Sequence, residues 1–240
     1  IKGPYKPGQY TNMQILPAFI VVAICIFVYW PGLYGPLILD DRATFGRMLG
    51  ENFAQNPHFY PVTDAAMGHF GRWLSIISFY TNALISQNIF FWKLTNLVIH
   101  LICGCLIFLL VSEMHSYVYP NKAYETSGIS VALVVSSIWL LHPLHASTVL
   151  YTVQRMTQLS TLFVLLGLVF YIKARLNIRE KGLRFRLYFI AFFICFPLGV
   201  LSKENALLFP VYVFFLDIFL LTGRGLSNTN FIKVIGLAVL

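Results

Sequence analysis

Charged residues are scarce in this sequence: only 11% of its 240 residues are Asp, Glu, Lys or Arg. A soluble domain carries roughly a quarter charged residues, so this composition excludes an ordinary soluble globular protein. Hydrophobic residues make up 58% of the chain and aromatic residues 16%, and the mean hydropathy is +0.74. We therefore predict a protein that crosses a membrane several times.

Several familiar site patterns are missing. The sequence has four cysteines, and their positions inside apolar stretches fit neither a zinc spacing nor a disulfide framework. It has no phosphate-cradling glycine loop, no G-x-S-x-G motif and no dinucleotide fingerprint. No 34-residue repeat is present either. The net charge of +8 accompanies an apolar, aromatic composition, which indicates a membrane partner and no nucleic acid.

Long apolar stretches are the main positive signal, because about 20 apolar residues cross a bilayer core as a helix. We predict an all-α, polytopic transmembrane bundle that forms a single domain over 1–240. Its spans are expected near 14–34, 91–111, 129–141, 157–174, 187–201 and 207–222, and another begins near 231. Polar residues interrupt Trp73–Ile85, which predicts an amphipathic helix at the membrane surface within an outer loop at 35–90. The chain starts at Ile1 and stops in an apolar run at Leu240, which indicates a fragment.

The basic residues predict the orientation. The densest basic cluster lies between two spans and consists of Lys173, Arg175, Arg179, Lys181, Arg184 and Arg186. The positive-inside rule places this loop in the cytoplasm. Counting spans backwards also places the N-terminus there, and it places three polar loops together on the outer face.

Those three outer loops carry the candidate site residues. The first contains Asp40 and Asp41, the second His142, His145, Gln154 and Arg155, and the third Lys203 and Glu204. Ionisable groups beside membrane spans are costly to keep unpaired, so they are functional candidates. Structural explanations remain open for each. They are a solvated helix end for the acids, a proline-broken helix end for the histidines, snorkelling at a helix start for Gln154 and Arg155, and an internal ion pair for Lys203 and Glu204.

Four strings carry a family resemblance: GRWLSIISFYTNAL (71–84), FWKLTNLVIHLI (91–102), WLLHPLHASTVLYTVQRMTQLSTLFVLLGLVFY (139–171) and LSKENALLFP (201–210). Together they resemble the N-terminal half of bacterial membrane proteins with C-terminal tetratricopeptide repeats. Those proteins are similar to the transmembrane and tetratricopeptide-repeat O-mannosyltransferases, which are GT-C glycosyltransferases. The resemblance covers roughly 30–222 and implies a fold of the GT-C type.

The resemblance also implies roles for individual residues. Asp41 or its neighbour Asp40 would be the general base on an acceptor hydroxyl, and the sequence leaves the choice between them open. Arg155 and Lys203 would bind the phosphate of a polyprenyl-phosphate sugar donor. The active site would be lined by His142, His145, Gln154 and Glu204. No cofactor is required, although Asp41 and His145 are suitable ligands for a divalent cation such as Mg²⁺ or Mn²⁺.

Two functions of different class stay open. In the first, the protein transfers a sugar to a protein or surface glycan outside the cytoplasm, in a bacterial inner membrane with a periplasmic active face. The endoplasmic reticulum membrane is the alternative setting. In the second, the chain is a non-catalytic scaffold that contacts lipid and other membrane subunits. A transporter fits less well, because its polar groups should lie near the bilayer midplane.

Overall fold

The structure, a computed structural model, describes residues 12–45, 71–119, 125–177 and 182–223. Every regular element in these residues is helical, which confirms the predicted all-α class. The α-helices are α1 (Asn12–Tyr29), α2 (Asp41–Phe45), α3 (Trp73–Ile85), α4 (Ile89–Val118), α5 (Glu125–Leu140), α6 (His145–Leu150), α7 (Arg155–Asn177), α8 (Leu183–Ser202) and α9 (Phe209–Gly223). Short 3-10 helices cover Trp30–Tyr34, Thr152–Gln154 and Glu204–Leu208.

Within the described residues, four helical segments are long and apolar enough to cross a membrane: Leu16–Tyr34, Ile89–Val118, Thr152–Asn177 and Leu183–Ser202. They correspond to four of the predicted spans and indicate a membrane protein. The predicted spans 129–141 and 207–222 are helices of 16 and 15 residues, shorter than the roughly 20 residues that a crossing needs. The segment predicted near 231 lies outside the described residues.

The helices run in alternating directions. Tyr29, at the end of α1, contacts His100 in the first half of α4, with ring centroids 5.6 Å apart. Ser160, near the start of α7, donates to the carbonyl of Lys203, just after α8, at 3.3 Å. One end of the bundle therefore gathers the ends of α1 and α8 and the starts of α4 and α7. We call it the site end.

Two ion pairs lie at the opposite end. Lys173 of α7 pairs with Glu113 of α4 at 3.7 Å, and Arg175 pairs with Asp217 of α9 at 3.1 Å. Because both pairs join the far ends of these helices, α4, α7 and α9 run in the same direction. The basic residues of α7 and of the start of α8 thus lie away from the site end.

Helix α3 is present at the predicted residues, but its polar side faces inward. Ser75 is fully buried and donates to the carbonyl of Ser202 at 2.8 Å. Asn82 is also buried and accepts from the hydroxyl of Thr95 at 3.0 Å. The exposed side is mainly apolar and includes Trp73, Ile77, Leu84 and Ile85. Ser75 and Asn82 therefore join α3 to the bundle, while Thr81 is exposed and bonds to the carbonyl of Ile77 in the same helix.

Gly167 of α7 packs closely against α8 and α9. A side-chain carbon added there would lie 2.6 Å from the ring of Phe209 and 3.2 Å from the β-carbon of Cys195. We expect Gly167→Val to lower the free energy of unfolding by about 1–3 kcal/mol. The β-carbon of Cys195 cannot move without its helix, and the buried ring of Phe209 packs against Phe192 and Phe196. Denaturant unfolding in detergent measures this difference, and an unchanged stability would contradict the packing described here.

Candidate functional site

The carboxylate of Asp41 is fully buried and held by backbone N–H groups. It accepts from Val153 at 2.8 Å, from Thr152 at 3.3 Å and from Ile38 at 3.4 Å. Asp41 itself has no exposed surface. Burial raises the pKa of Asp41, although these hydrogen bonds act in the opposite direction. Asp41 therefore attaches the first loop to the turn that precedes α7.

Asp40 is placed differently although it is the next residue. Its side chain is exposed, while its backbone N–H donates to the hydroxyl of Tyr151 at 3.1 Å. The preceding Leu39 has a φ of 48°, a left-handed conformation that costs a non-glycine residue roughly 1–3 kcal/mol. The turn thus fixes the backbone of both acids and leaves only the Asp40 carboxylate open to a ligand.

Lys93 holds the chain segment that leads into the acid pair. Its ammonium donates to the carbonyls of Gly35 and Pro36, each at 3.0 Å, and to that of Gly32 at 3.4 Å. Lys93 is buried, and it also attracts the Asp41 carboxylate. A cation near the start of α4 therefore supports the geometry of the first loop.

Arg155 joins α7 to α3 and α4. Its side chain is fully buried, and it makes five hydrogen bonds, the same number as its N–H groups. The acceptors are the side chains of Asn96 and Asn82, the carbonyl of Trp92, and the carbonyl and hydroxyl of Ser78. The guanidinium also lies 4.5 Å from the ring centroid of Phe79, which adds a cation–π contact.

These bonds lend no support to the phosphate-binding role predicted for Arg155. With every N–H used inside the protein, no donor is left for a donor-lipid phosphate. Arg155 instead supports the turn beside the acid pair through Asn96, which accepts from its Nε at 2.8 Å. The amide of Asn96 in turn donates to the carbonyls of Thr152 at 3.3 Å and Tyr151 at 3.4 Å. We therefore assign Arg155 a structural role.

Lys203 and Gln154 meet through one hydroxyl. The Lys203 ammonium donates to the hydroxyl of Thr157 at 2.7 Å, and this hydroxyl donates to the Gln154 side chain at 2.7 Å. Lys203 is partly exposed. Burial, and then the charge of Arg72, lower the pKa of Lys203. The segment 151–157 thus contacts the acid pair at one end and Lys203 at the other.

Glu204 pairs with a residue that the sequence analysis did not select. Arg72 donates through Nε to Glu204 Oε2 at 3.0 Å and through Nη2 to Oε1. The two residues are 132 positions apart. The Arg72 guanidinium lowers the pKa of Glu204 to about 2. Arg72 directly precedes α3, so this pair fixes the helix to the end of α8.

The two predicted histidines lie in an aromatic cluster. The His145 ring is 4.4 Å from Trp139, 5.2 Å from His100 and 6.1 Å from His142, measured between centroids. His142 is exposed and His145 is partly buried. In the part of the chain that the structure describes, no three His, Cys, Asp or Glu side chains are placed to hold a metal ion, so the predicted Asp41–His145 cation site gains no support.

His145 should make stability depend on pH. Burial, and then the neighbouring His142, lower the pKa of His145. Below the unfolded value of about 6.5, the unfolded chain takes up a proton that the folded chain resists. The free energy of unfolding should therefore fall as the pH drops through that value. His145→Gln should weaken this dependence, as measured by denaturant unfolding between about pH 8 and pH 5. Parallel curves for both proteins would contradict it.

The sequence analysis identified the three loops that form the site end, but it did not identify every residue that bonds to them. The structure brings Asp40, Asp41, Gln154, Lys203 and Glu204 to the site end. Arg72 and Tyr151 were not selected. In the sequence, Arg72 stands between Gly71 and the predicted helix 73–85, and this position at a helix start could have identified it. In the structure, Gly71 has a φ of 83°.

Comparison with known proteins finds no matching family model, no matching curated protein and no matching solved structure. The resemblance to GT-C glycosyltransferases therefore remains a prediction from the four sequence strings.

Proposed function

We propose that the protein is a membrane glycosyltransferase that moves a sugar from a polyprenyl phosphate to an acceptor hydroxyl. One observation carries the proposal: the segment 151–157 bonds to the acid pair at one end and to Lys203 at the other. The residue that carries the exposed Asp40 carboxylate and the partly exposed Lys203 ammonium are thereby both hydrogen-bonded to one short stretch of chain. This stretch begins a helix of membrane-crossing length, where a lipid-linked donor would lie.

The proposed chemistry needs a base and a cation. The acceptor oxygen forms a bond to the anomeric carbon while the bond from that carbon to the phosphate oxygen breaks. The hydroxyl proton passes to Asp40, whose carboxylate is exposed, and the leaving phosphate keeps the bonding electron pair. Lys203 stabilises the charge that develops on the phosphate, since a fixed cation in a poorly hydrated site does so better than water. Asp41 orients the turn and does not touch the substrate.

The orientation of the chain in the membrane and its assignment to the GT-C family are parts of the same proposal. Exposed Arg184 and Arg186, at the start of α8, lie at the end opposite Lys203. The positive-inside rule then puts the site end outside the cytoplasm. This supports a periplasmic active face in a bacterial inner membrane, or a luminal one in the endoplasmic reticulum. A fold of the GT-C type, kinship with the tetratricopeptide-repeat proteins, and a protein or surface-glycan acceptor complete the proposal.

A non-catalytic scaffold is the second candidate, and one observation favours it. Arg155, one of the two cations expected to bind the donor phosphate, uses all its N–H groups inside the protein. A protein that kept the fold without the chemistry would retain such a structural residue. It would also contact lipid or other membrane subunits through its exposed apolar helices.

Purified protein in detergent separates the two candidates. We expect it to release polyprenyl phosphate from a sugar-loaded polyprenyl phosphate when a hydroxyl-bearing peptide or glycan is supplied. Asp40→Asn should lose this release. Asp217→Asn is its matched control, because it makes the same chemical change at the opposite end of the bundle. No release by wild-type protein with peptide and glycan acceptors would favour the scaffold.

A further inference from the structure

We propose that α3 lies in the plane of the membrane, inserted into the leaflet around the site end, and that its exposed side binds lipid acyl chains. Sugar transfer is not required for this role. The amphipathic helix predicted from the sequence is different, because its polar side would face water. The placement follows from the composition of α3, from the partners of its polar groups, from the position of its two ends and from its neighbours.

Four exposed apolar side chains form a strip along α3: Trp73, Ile77, Leu84 and Ile85. Their exposed fractions run from 46% to 77%, and a period of 3.6 residues per turn places all four on one side of the helix. The sequence has no charged residue between Arg72 and Lys93. A helix that rests on a membrane with one side in water usually carries lysine or arginine on that side. Because α3 has no such side, its strip fits hydrocarbon better than water.

Polar side chains of α3 find their partners inside the protein. Ser75, Ser78 and Asn82 bond to residues of α8, α7 and α4, respectively. Thr81, which is exposed, donates its hydroxyl to the carbonyl of Ile77 at 2.7 Å. A hydroxyl in hydrocarbon needs such a partner, because no water is present to replace it. Lipid can therefore cover the exposed side without leaving the Thr81 hydroxyl unpaired.

Both ends of α3 contact the site end, so the helix does not cross the membrane. At its start, Arg72 pairs with Glu204, which closely follows α8. Just after its end, the carbonyl of Ser86 accepts from the indole N–H of Trp92, near the start of α4, at 2.9 Å. The 13 residues of α3 extend about 20 Å, so a helix parallel to the bundle would carry one of these contacts far from the site end. α3 therefore lies across the bundle.

The strip lies between two helices of membrane-crossing length. α3 is fixed to the end of α8 and to the start of α4, and both of these helices are long and apolar enough to cross a membrane. Close to these contacts, each exposes an apolar side chain, Leu201 on α8 and Phe91 on α4. The exposed apolar surface thus extends from α8 over the strip to α4. Acyl chains of the leaflet around the site end are the partner that fits this surface.

Spin labels on the strip, with the protein in lipid vesicles, test this placement. A label is attached at Ile77→Cys or Leu84→Cys after Cys105→Ser has removed the exposed native cysteine. Its collision rate with oxygen, which concentrates in hydrocarbon, is compared with its collision rate with a water-soluble nickel chelate. We expect both labels to favour oxygen, as a label on native Cys105 in α4 should. A label at Ser147→Cys, exposed outside the membrane-length segments, should favour the chelate.

The two strip labels should also lie at equal depth, although seven residues of a helix extend about 10 Å. Three results would overturn the placement. Strip labels that favour the chelate would put the strip in water, and labels that collide little with either reagent would show that protein covers it, from this chain or a second copy. A depth difference of about 10 Å would show that α3 stands along the membrane normal. Two labels in lipid at one depth would establish the placement, whether or not the protein transfers sugar.

Discussion

Replacing Arg155 by alanine is expected to lower the free energy of unfolding by about 3–5 kcal/mol. The substitution leaves a cavity beside Phe79 and Trp92, which the guanidinium now faces. It also removes the arginine donor from the buried side-chain oxygen of Asn96, and one of the two donors from that of Asn82, which keeps the hydroxyl of Thr95. Both asparagines are buried, so bulk water does not readily replace the lost donors. Denaturant unfolding in detergent, followed by tryptophan fluorescence, gives the difference directly.

Two variants make the Arg155 result specific. Arg184→Ala removes an exposed arginine from the opposite end of the bundle and should change stability by no more than about 0.5 kcal/mol. Arg155→Lys keeps the charge but cannot reproduce the planar set of five donors, so an intermediate loss is expected. A fully stable Arg155→Ala protein that had lost only lipid binding would contradict the structural role and restore the predicted phosphate role.

Replacing Asp40 by asparagine is expected to slow sugar transfer about 10²–10⁴-fold, the usual contribution of a general base. Because the Asp40 side chain is exposed, its free energy of unfolding should stay within about 0.5 kcal/mol of wild type. Transfer from a sugar-loaded polyprenyl phosphate and denaturant unfolding are measured on the same preparation. A large loss of rate without loss of stability is the expected pattern.

Asp41→Asn is the matched variant, and its expected pattern is different. One carboxylate oxygen would become an amide nitrogen and point its N–H groups at the N–H of Val153 or of Thr152. Such a mismatch should cost about 1–3 kcal/mol of stability. If Asp41→Asn were stable and inactive while Asp40→Asn kept full activity, the base would be Asp41.

The helices could be predicted from the sequence because long apolar runs have few alternatives in a membrane. The side of each helix that faces the interior of the bundle could not be predicted from the sequence. In α3, the apolar run with interspersed polar residues predicts a helix, but Ser75 and Asn82 are buried only because Ser202 and Arg155 supply partners from distant parts of the chain. Contacts between residues more than 70 positions apart leave no local pattern.

The same limit explains the candidate site. The three loops could be grouped from the count of spans, since each lies after an odd number of crossings. The difference between Asp40 and Asp41 depends on the backbone of 151–153, and the role of Arg155 depends on two asparagines and a serine on other helices. Residue type alone cannot distinguish an arginine that binds phosphate from one that holds three helices together.

The most direct test of the proposed glycosyltransferase is the intact mass of exported proteins and surface glycans from cells that carry the wild-type chain or Asp40→Asn. Asp217→Asn serves as control, and membrane insertion of every variant is verified. The proposed function predicts sugar-sized mass increments with wild type and Asp217→Asn that disappear with Asp40→Asn. Identical masses in all cells, with each protein stably inserted, would contradict it.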